Sequence, residues 1–321
     1  MLASDALVAA NTSAYNAQSV ATALVAADAE GLSSHGVSRV PFYADQAKSG
    51  KVDGQAVPET TTVATTCVRV DAKCGFAFPA IRAGLEGGLE LAREHGTAAI
   101  AVTDSHHCGA LGYHVEHVGE AGLIALGFSN TPAGMAPWGG TRATFGTNPI
   151  AFASPRTAGP ALVIDLSLSH VARGKIMLAQ KSGEAIPEGW ALDGDGNATT
   201  DPTAALSGTM VPAGGAKGAA LALMVETLAA AVTGASFSYE ASSFFTAEGP
   251  SPSIGQFFVL VDQTRFNPGY AERFEALATA ICAQEGVRLP GDRRHERRLA
   301  ARQAGVSIPD ALYEDLRARA G

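Results

Sequence analysis

The chain has 321 residues, 46% hydrophobic and 17% charged, with a formal net charge of −8. That is enough apolar material for a large core in one big unit or two interleaved ones. The charge is spread along the chain and the only basic stretch, Arg293 to Arg302, is short, which excludes nucleic acid and anionic membrane as main partners and leaves a small molecule.

The first third reads as helix, turn, helix: an Ala-rich stretch from Asn16 to Glu30, a break at Gly31-Leu-Ser-Ser-His-Gly36, and a second helical pattern through Val40, Tyr43 and Ala47. Short apolar runs at Thr97–Thr103, Leu123–Ser129, Ala161–Asp165 and Gln256–Asp262 read as strands of a covered sheet. Amphipathic segments at Ile81–His95 and Leu111–Ala121 lie between them, so the expected class is α/β. Residues 187–212, rich in Gly, Asp, Thr and Pro, read as a long ordered loop. Residues 219–232 are the most apolar helical run, but Glu226 and the length fall short of the roughly 20 apolar residues of a membrane span, so a buried helix is expected. No secretory leader is recognisable, which points to the cytoplasm. Cys67, Cys74, Cys108 and Cys282 are irregularly spaced and are expected to be free thiols, neither a zinc site nor a disulfide framework.

The dinucleotide fingerprint Gly-x-Gly-x-x-Gly is absent despite 36 glycines, so a standard Rossmann site is not expected. Asp193-Gly-Asp-Gly-Asn197 imitates a calcium loop but has Ala198 and Ala204 where Gly and Glu are required, and reads as a solvated turn. His35 and Arg39 stand four apart and would share a face if a helix began there, pairing a proton carrier with a carboxylate fork; a cap or surface pair is the plainer reading of the same spacing. Asp104-Ser-His-His-Cys-Gly109 follows a strand, where α/β proteins place ligand-binding groups. Adjacent histidines point to opposite faces and no carboxylate completes a ligand set, so no metal is expected. Phe145-Gly-Thr-Asn-Pro149 is a polar bend, and Gly214-Gly-Ala-Lys-Gly218 places a Lys at a helix start, where an anion is favoured.

Taken in order, Ala29 to Arg39, Ser105 to Gly109, Phe145 to Pro149, Ile164 to Ser167 with Ala172 to Lys175, Gly214 to Gly218 and Leu289 to Arg293 resemble the type-2 malate/L-lactate dehydrogenase family. That family includes sulfolactate and ureidoglycolate dehydrogenases and reductases of pyrroline-2-carboxylate and piperideine-2-carboxylate. The resemblance implies a family-specific, non-Rossmann NAD(P)-binding fold, in which a mixed sheet covered by helices is joined to an interleaved helical lobe. The chain would form one catalytic unit over 1–321, with the cofactor-binding sheet in about 70–250 and the helical lobe in 1–69 and 251–321. It further implies an oxidoreductase working on a small carboxylate as a homodimer.

By the same resemblance His35 is the proton donor, Ser34 the group behind it, and Arg39 and Thr147 substrate ligands. The segments wrapping NADP, or NAD, are His107, Cys108, Gly109, Ala110 and Leu111; Asp165, Leu166 and Ser167; Ala216 and Lys217; and Leu289, Pro290, Gly291, Asp292, Arg293 and Arg294. Two positions depart from the pattern. Lys175 stands where imine-reducing members carry an Asp, and a lysine there would lower the pKa of the histidine or bind extra substrate charge. Cys108 stands where Phe is common and would reshape the cofactor wall. The expected reaction is hydride transfer to a 2-oxo acid of the malate, lactate or sulfolactate type; reduction of a cyclic imino acid is the alternative.

Overall fold

A computed structural model describes all residues, 1–321. Its strands are β1 (Glu59–Ala64), β2 (Cys67–Asp71), β3 (Thr97–Ser105), β4 (Ile124–Ser129), β5 (Ile150–Ser154), β6 (Leu162–Leu166), β7 (Ala191–Leu192), β8 (Ala198–Thr199), β9 (Thr209–Met210) and β10 (Ile254–Val261). The helices are α1 (Leu2–Val8), α2 (Ala14–Ala29), α3 (Val40–Ser49), α4 (Ala77–His95), α5 (Leu111–Glu120), α6 (Arg173–Ser182), α7 (Pro202–Ser207), α8 (Ala216–Glu226), α9 (Tyr270–Cys282), α10 (Asp292–Ala304) and α11 (Asp310–Ala320).

The main sheet has seven strands in the order β1-β2-β3-β10-β4-β5-β6. Only β2 and β3 pair in parallel, and α4 supplies the crossover that a parallel pair requires. Strand β10 runs antiparallel to both β3 and β4 and fills the gap between them. Alternation along it sorts the two faces: Phe258 and Leu260 enter the core under α4 and α5, while Phe257 packs towards α8 with Phe128, Met135, Phe145 and Val225. Close approach of α4 to β3 depends on Gly84 and Gly88, where a Cβ would stand 2.8 and 2.6 Å from Ile100.

The sheet extends past the expected 70–250 at both ends, because β1 and most of β2 precede it and its central strand β10 follows it. A second core joins α1, α2 and α3 to Phe76, Phe78 and Leu316 of α11, so the two chain ends meet in one helical layer.

Two expectations change. Residues 187–212 are not a bare loop: they contain α7 and a three-stranded sheet in the order β8-β7-β9, packed around Val171, Ile176, Ile186, Ala205 and Met210. Two-residue strands leave no readable periodicity, while the Asp193 carboxylate caps the turn between them by accepting from the Asp195 and Asn197 N–H groups. Nor is 219–232 buried all round: Ala222, Val225, Ala229 and Ala230 face the core, whereas Leu221, Leu223, Met224 and Val232 are exposed.

Candidate active site

After α2 the chain reverses at Gly31, whose φ is +78°, and makes two single 3-10 turns, Ser33–His35 and Val37–Arg39, before α3 begins. The Asp28 carboxylate fixes this geometry by accepting from the Val37 N–H at 2.8 Å. It occupies the place where a Gly36 side chain would project, 2.0 Å from the ideal Cβ position. His35 and Arg39 therefore do not share a helix face, as their spacing suggested; they meet through Ser34. The Ser34 Oγ lies 3.0 Å from His35 Nδ1, and the Arg39 Nε donates to the Ser34 carbonyl at 2.7 Å. When Nδ1–H donates to the Ser34 hydroxyl oxygen, Nε2 is left as the free acceptor of the neutral ring.

The guanidinium of Arg39 lies 4.8 Å over the ring of Phe245, and its buried Nη1 has no partner in the protein. A buried charged donor left open is costly, and a planar carboxylate is the ligand that satisfies it best. Burial first, then the positive charges of Arg39 and Arg294, push the His35 pKa down to about 4. The ring is thus neutral near pH 7, a base awaiting a proton.

The exit of β3 forms the next wall. His107 is buried, with Nδ1 2.5 Å from the Tyr43 hydroxyl and its ring 5.6 Å from that of His35. The neighbouring His106 turns away, pairing its Nε2 with Gln46 Oε1 at 2.9 Å and holding a pKa pushed down to about 3 by burial. The Cys108 side chain is buried within the main core, where burial pushes its pKa up to about 12. Gly109, with φ +68°, and Ala110 lead into α5.

The other expected segments gather at the exit of β6. The Asp165 carboxylate accepts from the Gly112 N–H in the first turn of α5 at 2.9 Å, and Arg294 donates to the Asp165 carbonyl at 3.1 Å. Gly291, with φ +92°, lies against the Val163 backbone, while the Asp292 carboxylate takes the Leu289 N–H. Pro290 and Arg293 complete this turn at the start of α10. Leu166 is exposed at 46%. Ser167 donates to the Thr147 carbonyl at 3.4 Å, and Thr147 is held by the Thr131 hydroxyl, which accepts its N–H. The residue after Ser167, Leu168, accepts from the Ala213 N–H, bringing Ala216 and Lys217 alongside at the start of α8.

Lys217 is exposed, and α8 has no side-chain cap, so this helix start offers free N–H groups and a cation to an anion. That donor chemistry fits the phosphates of a dinucleotide, as does the guanidinium of Arg294. Lys175 is exposed in the first turn of α6 and forms no ion pair. Its neighbour Gly174 packs against Ser34, 3.7 Å from an ideal Cβ position. The cations that lower the His35 pKa are Arg39 and Arg294.

Residue patterns alone did not single out Gln46, Phe244 or Phe245, and read Tyr43 only as a helix-face residue. Tyr43 follows Arg39 by four positions, a signal that was available. Phe244 and Phe245 carry none, because they reach the site from a distant irregular segment.

A neutral imidazole beside a guanidinium with an open donor is equipment for moving a proton on a small carboxylate, and the mixed sheet lacks Rossmann topology. The class is therefore that of non-Rossmann oxidoreductases. The chain belongs to the malate/L-lactate dehydrogenase family, whose family model matches residues 1–317. It is 54% identical over 321 residues to the (2R)-3-sulfolactate dehydrogenase (NADP(+)) of Chromohalobacter salexigens, covering 99% of this chain and 95% of the relative. It is 42% identical over 302 residues to a Delta(1)-pyrroline-2-carboxylate/Delta(1)-piperideine-2-carboxylate reductase of Pseudomonas aeruginosa, covering 93% and 90%. Among solved structures, it superposes on the delta1-piperideine-2-carboxylate reductase of Pseudomonas syringae with a TM-score of 0.94 at 38% identity, over 99% of this chain and 96% of that one. On the sulfolactate dehydrogenase of Methanocaldococcus jannaschii the TM-score is 0.90 at 29% identity, over 99% and 93%.

Proposed function

We propose that this enzyme interconverts a small open-chain 2-oxo acid and its 2-hydroxy acid at the expense of NADP(H), and that its substrate carries a second anionic group, as 3-sulfopyruvate and sulfolactate do. The observation that carries the reading is the unpartnered, buried Nη1 of Arg39 next to the Ser34–His35 pair. The relative of 54% identity named for (2R)-3-sulfolactate supports the substrate class.

The bound nicotinamide supplies or accepts the hydride at its C4. Arg39 grips the substrate carboxylate, with Thr147 as a second contact, and this fixes C2 in front of His35. In the oxidising direction neutral His35 accepts the hydroxyl proton while Ser34 steadies its Nδ1. In the reducing direction His35 must first be charged. The substrate carboxylate assists, because an anion on Arg39 cancels part of the field that keeps the imidazole neutral. Lys175, exposed one residue from the Gly174 contact with Ser34, is assigned to the second anionic group and thereby to the relay region.

The dinucleotide is assigned to His107–Leu111, Asp165–Ser167, Ala216–Lys217 and Leu289–Arg294, with NADP favoured over NAD. The exposed apolar side chains of Leu221, Leu223, Met224 and Val232 support a homodimer. The residue ranges near 70–250 and the two chain ends act as one catalytic unit. No helix is long and apolar enough to cross a membrane, and we place the enzyme in the cytoplasm, where nicotinamide dinucleotides are turned over.

Oxidation of NADPH and NADH with pyruvate, oxaloacetate, 3-sulfopyruvate, pyrroline-2-carboxylate and piperideine-2-carboxylate tests the reading. Turnover concentrated on 3-sulfopyruvate with NADPH is expected. Turnover of the cyclic imines alone overturns it in favour of an imino acid reductase, a reading that the relatives of 42% identity and below support.

A further inference from the structure

The segment Ser243–Glu248 has an unusual mooring. Its main-chain carbonyls are met by side chains of α3 and the residues just beyond it. The buried Lys51 ammonium donates to Ser243, Thr246 and Glu248 at 2.7, 3.0 and 2.9 Å. Gln46 donates to Phe244 at 2.7 Å, and Ser49 to Ala247 at 2.8 Å. Five carbonyls across a six-residue bend are thus dictated by a helix nearly two hundred positions earlier. Its product is a pair of aromatic rings aimed at the site. Phe244 packs 4.9 Å from His107. Phe245 turns its face to the Arg39 guanidinium at 4.8 Å and meets Phe42 edge-on at 5.6 Å.

A ring stacked on a guanidinium attracts it, strips water from one face and limits its rotation. Nε is already committed to Ser34, so Phe245 supplies the second constraint needed to hold the plane in which Nη1 waits. We propose that Phe245 is a positioning residue for Arg39, and that Lys51 acts remotely on substrate affinity by clamping the loop that carries it. The inference rests on the reading of Arg39 as the carboxylate ligand. It predicts that affinity for the acid, rather than the rate of hydride transfer or the affinity for NADP, depends on residues 51 and 245.

The test is calorimetric binding of oxalate, a planar dicarboxylate, to the enzyme–NADP complex, alongside KM and kcat for 3-sulfopyruvate. In Phe245→Leu, oxalate binding should weaken about tenfold, the scale of a desolvated cation–π contact. KM should rise in parallel, kcat and the Kd of NADP should stay within twofold, and Phe245→Tyr should restore wild-type behaviour. Lys51→Met should reproduce the affinity loss. Phe245 is at the rim of the site and 36% exposed, so its variants test the proposal even if Lys51→Met fails to fold. If Phe245→Leu binds oxalate like the wild type while Arg39→Lys loses it, this inference is overturned and the reading of Arg39 stands. If Arg39→Lys also binds normally, or the wild-type complex takes up no oxalate, both fall. An equal loss of NADP affinity in Phe245→Leu assigns the loop to the cofactor and overturns the proposal.

Discussion

The Nε of Arg39 donates to the main-chain carbonyl of Ser34 at 2.7 Å, so the proposed carboxylate ligand and the residue that hydrogen-bonds the proposed proton carrier are tied through one peptide unit. A shift in either moves the other. Arg39→Lys removes both the tie and the planar fork. The kcat/KM for the 2-oxo acid is expected to fall by roughly 10- to 100-fold, the value of a charge-assisted hydrogen bond. Unchanged efficiency in steady-state kinetics would remove Arg39 from the site.

Proton uptake should be visible in the pH profile. With the free-enzyme His35 pKa lowered to about 4, kcat/KM for reduction should fall tenfold for each pH unit above that value, because only the charged imidazole donates. In kcat the break should move to higher pH, since the bound carboxylate offsets Arg39. Coincident breaks in the two profiles would contradict this coupling.

Acid should destabilise the fold through histidines that take no part in the reaction. His106 and His114 are buried, with pKa values pushed down to about 3 and about 4 by burial. Once unfolded they return to an ordinary value near 6.5 and bind protons the native state refuses. Stability is therefore full above about pH 6.5 and declines as pH falls towards 4, at roughly 1.4 kcal/mol per pH unit for each histidine. Thermal melts across that window check the slope, and His114→Phe should flatten it.

Glu226 lies in the apolar stretch but serves the site from below. Its carboxylate accepts from the Asn148 side chain and the Ser238 hydroxyl, both at 2.7 Å, and from the Ser238 N–H at 2.5 Å. This holds Asn148 at φ +40° directly after Thr147. In Glu226→Leu the buried Ser238 N–H and one N–H of the Asn148 amide lose their acceptor, although Asn148 keeps its bond to the Ala222 carbonyl, and a loss of about 3 kcal/mol is expected in denaturant unfolding. A loss below about 1 kcal/mol would mean the turn holds itself.

The exposed apolar side chains on and just beyond α8 give the proposed homodimer a direct test. Leu223, 56% exposed, changed to Glu should shift sedimentation from dimer to monomer while leaving the melting temperature of the isolated chain nearly unchanged. A variant that still sediments as the wild type places any interface elsewhere.

Strands β3, β4, β6 and β10 and helices α4 and α5 were legible because each buries one consistent face against the sheet or its covering helices. The β1 hairpin strand was not, since all six of its residues are exposed and alternation has nothing to record. The two-residue strands β7, β8 and β9 are too short to show a period. At the site, the residue types of His35, Ser34, Arg39 and Thr147 were readable, but the reason His35 and Arg39 meet was not. Their spacing suggested a helix face, whereas Asp28 and Gly36 impose consecutive 3-10 turns. Phe245 was invisible because its role depends on Lys51, Gln46 and Ser49, and no local pattern reports a clamp of that span.

The placement of β10 also governs how the chain acquires its shape during synthesis. It is the last strand in sequence and a central one in space, so until residue 261 has left the ribosome β3 and β4 expose unpaired edges across an open slot. The sheet cannot close progressively from its amino-terminal half; it must wait and then zip around a late arrival, a high-contact-order step. Nascent chains stalled before β10 should be the species chaperones hold and proteases find, and a truncation there would split the sheet into two three-stranded halves rather than trim its rim.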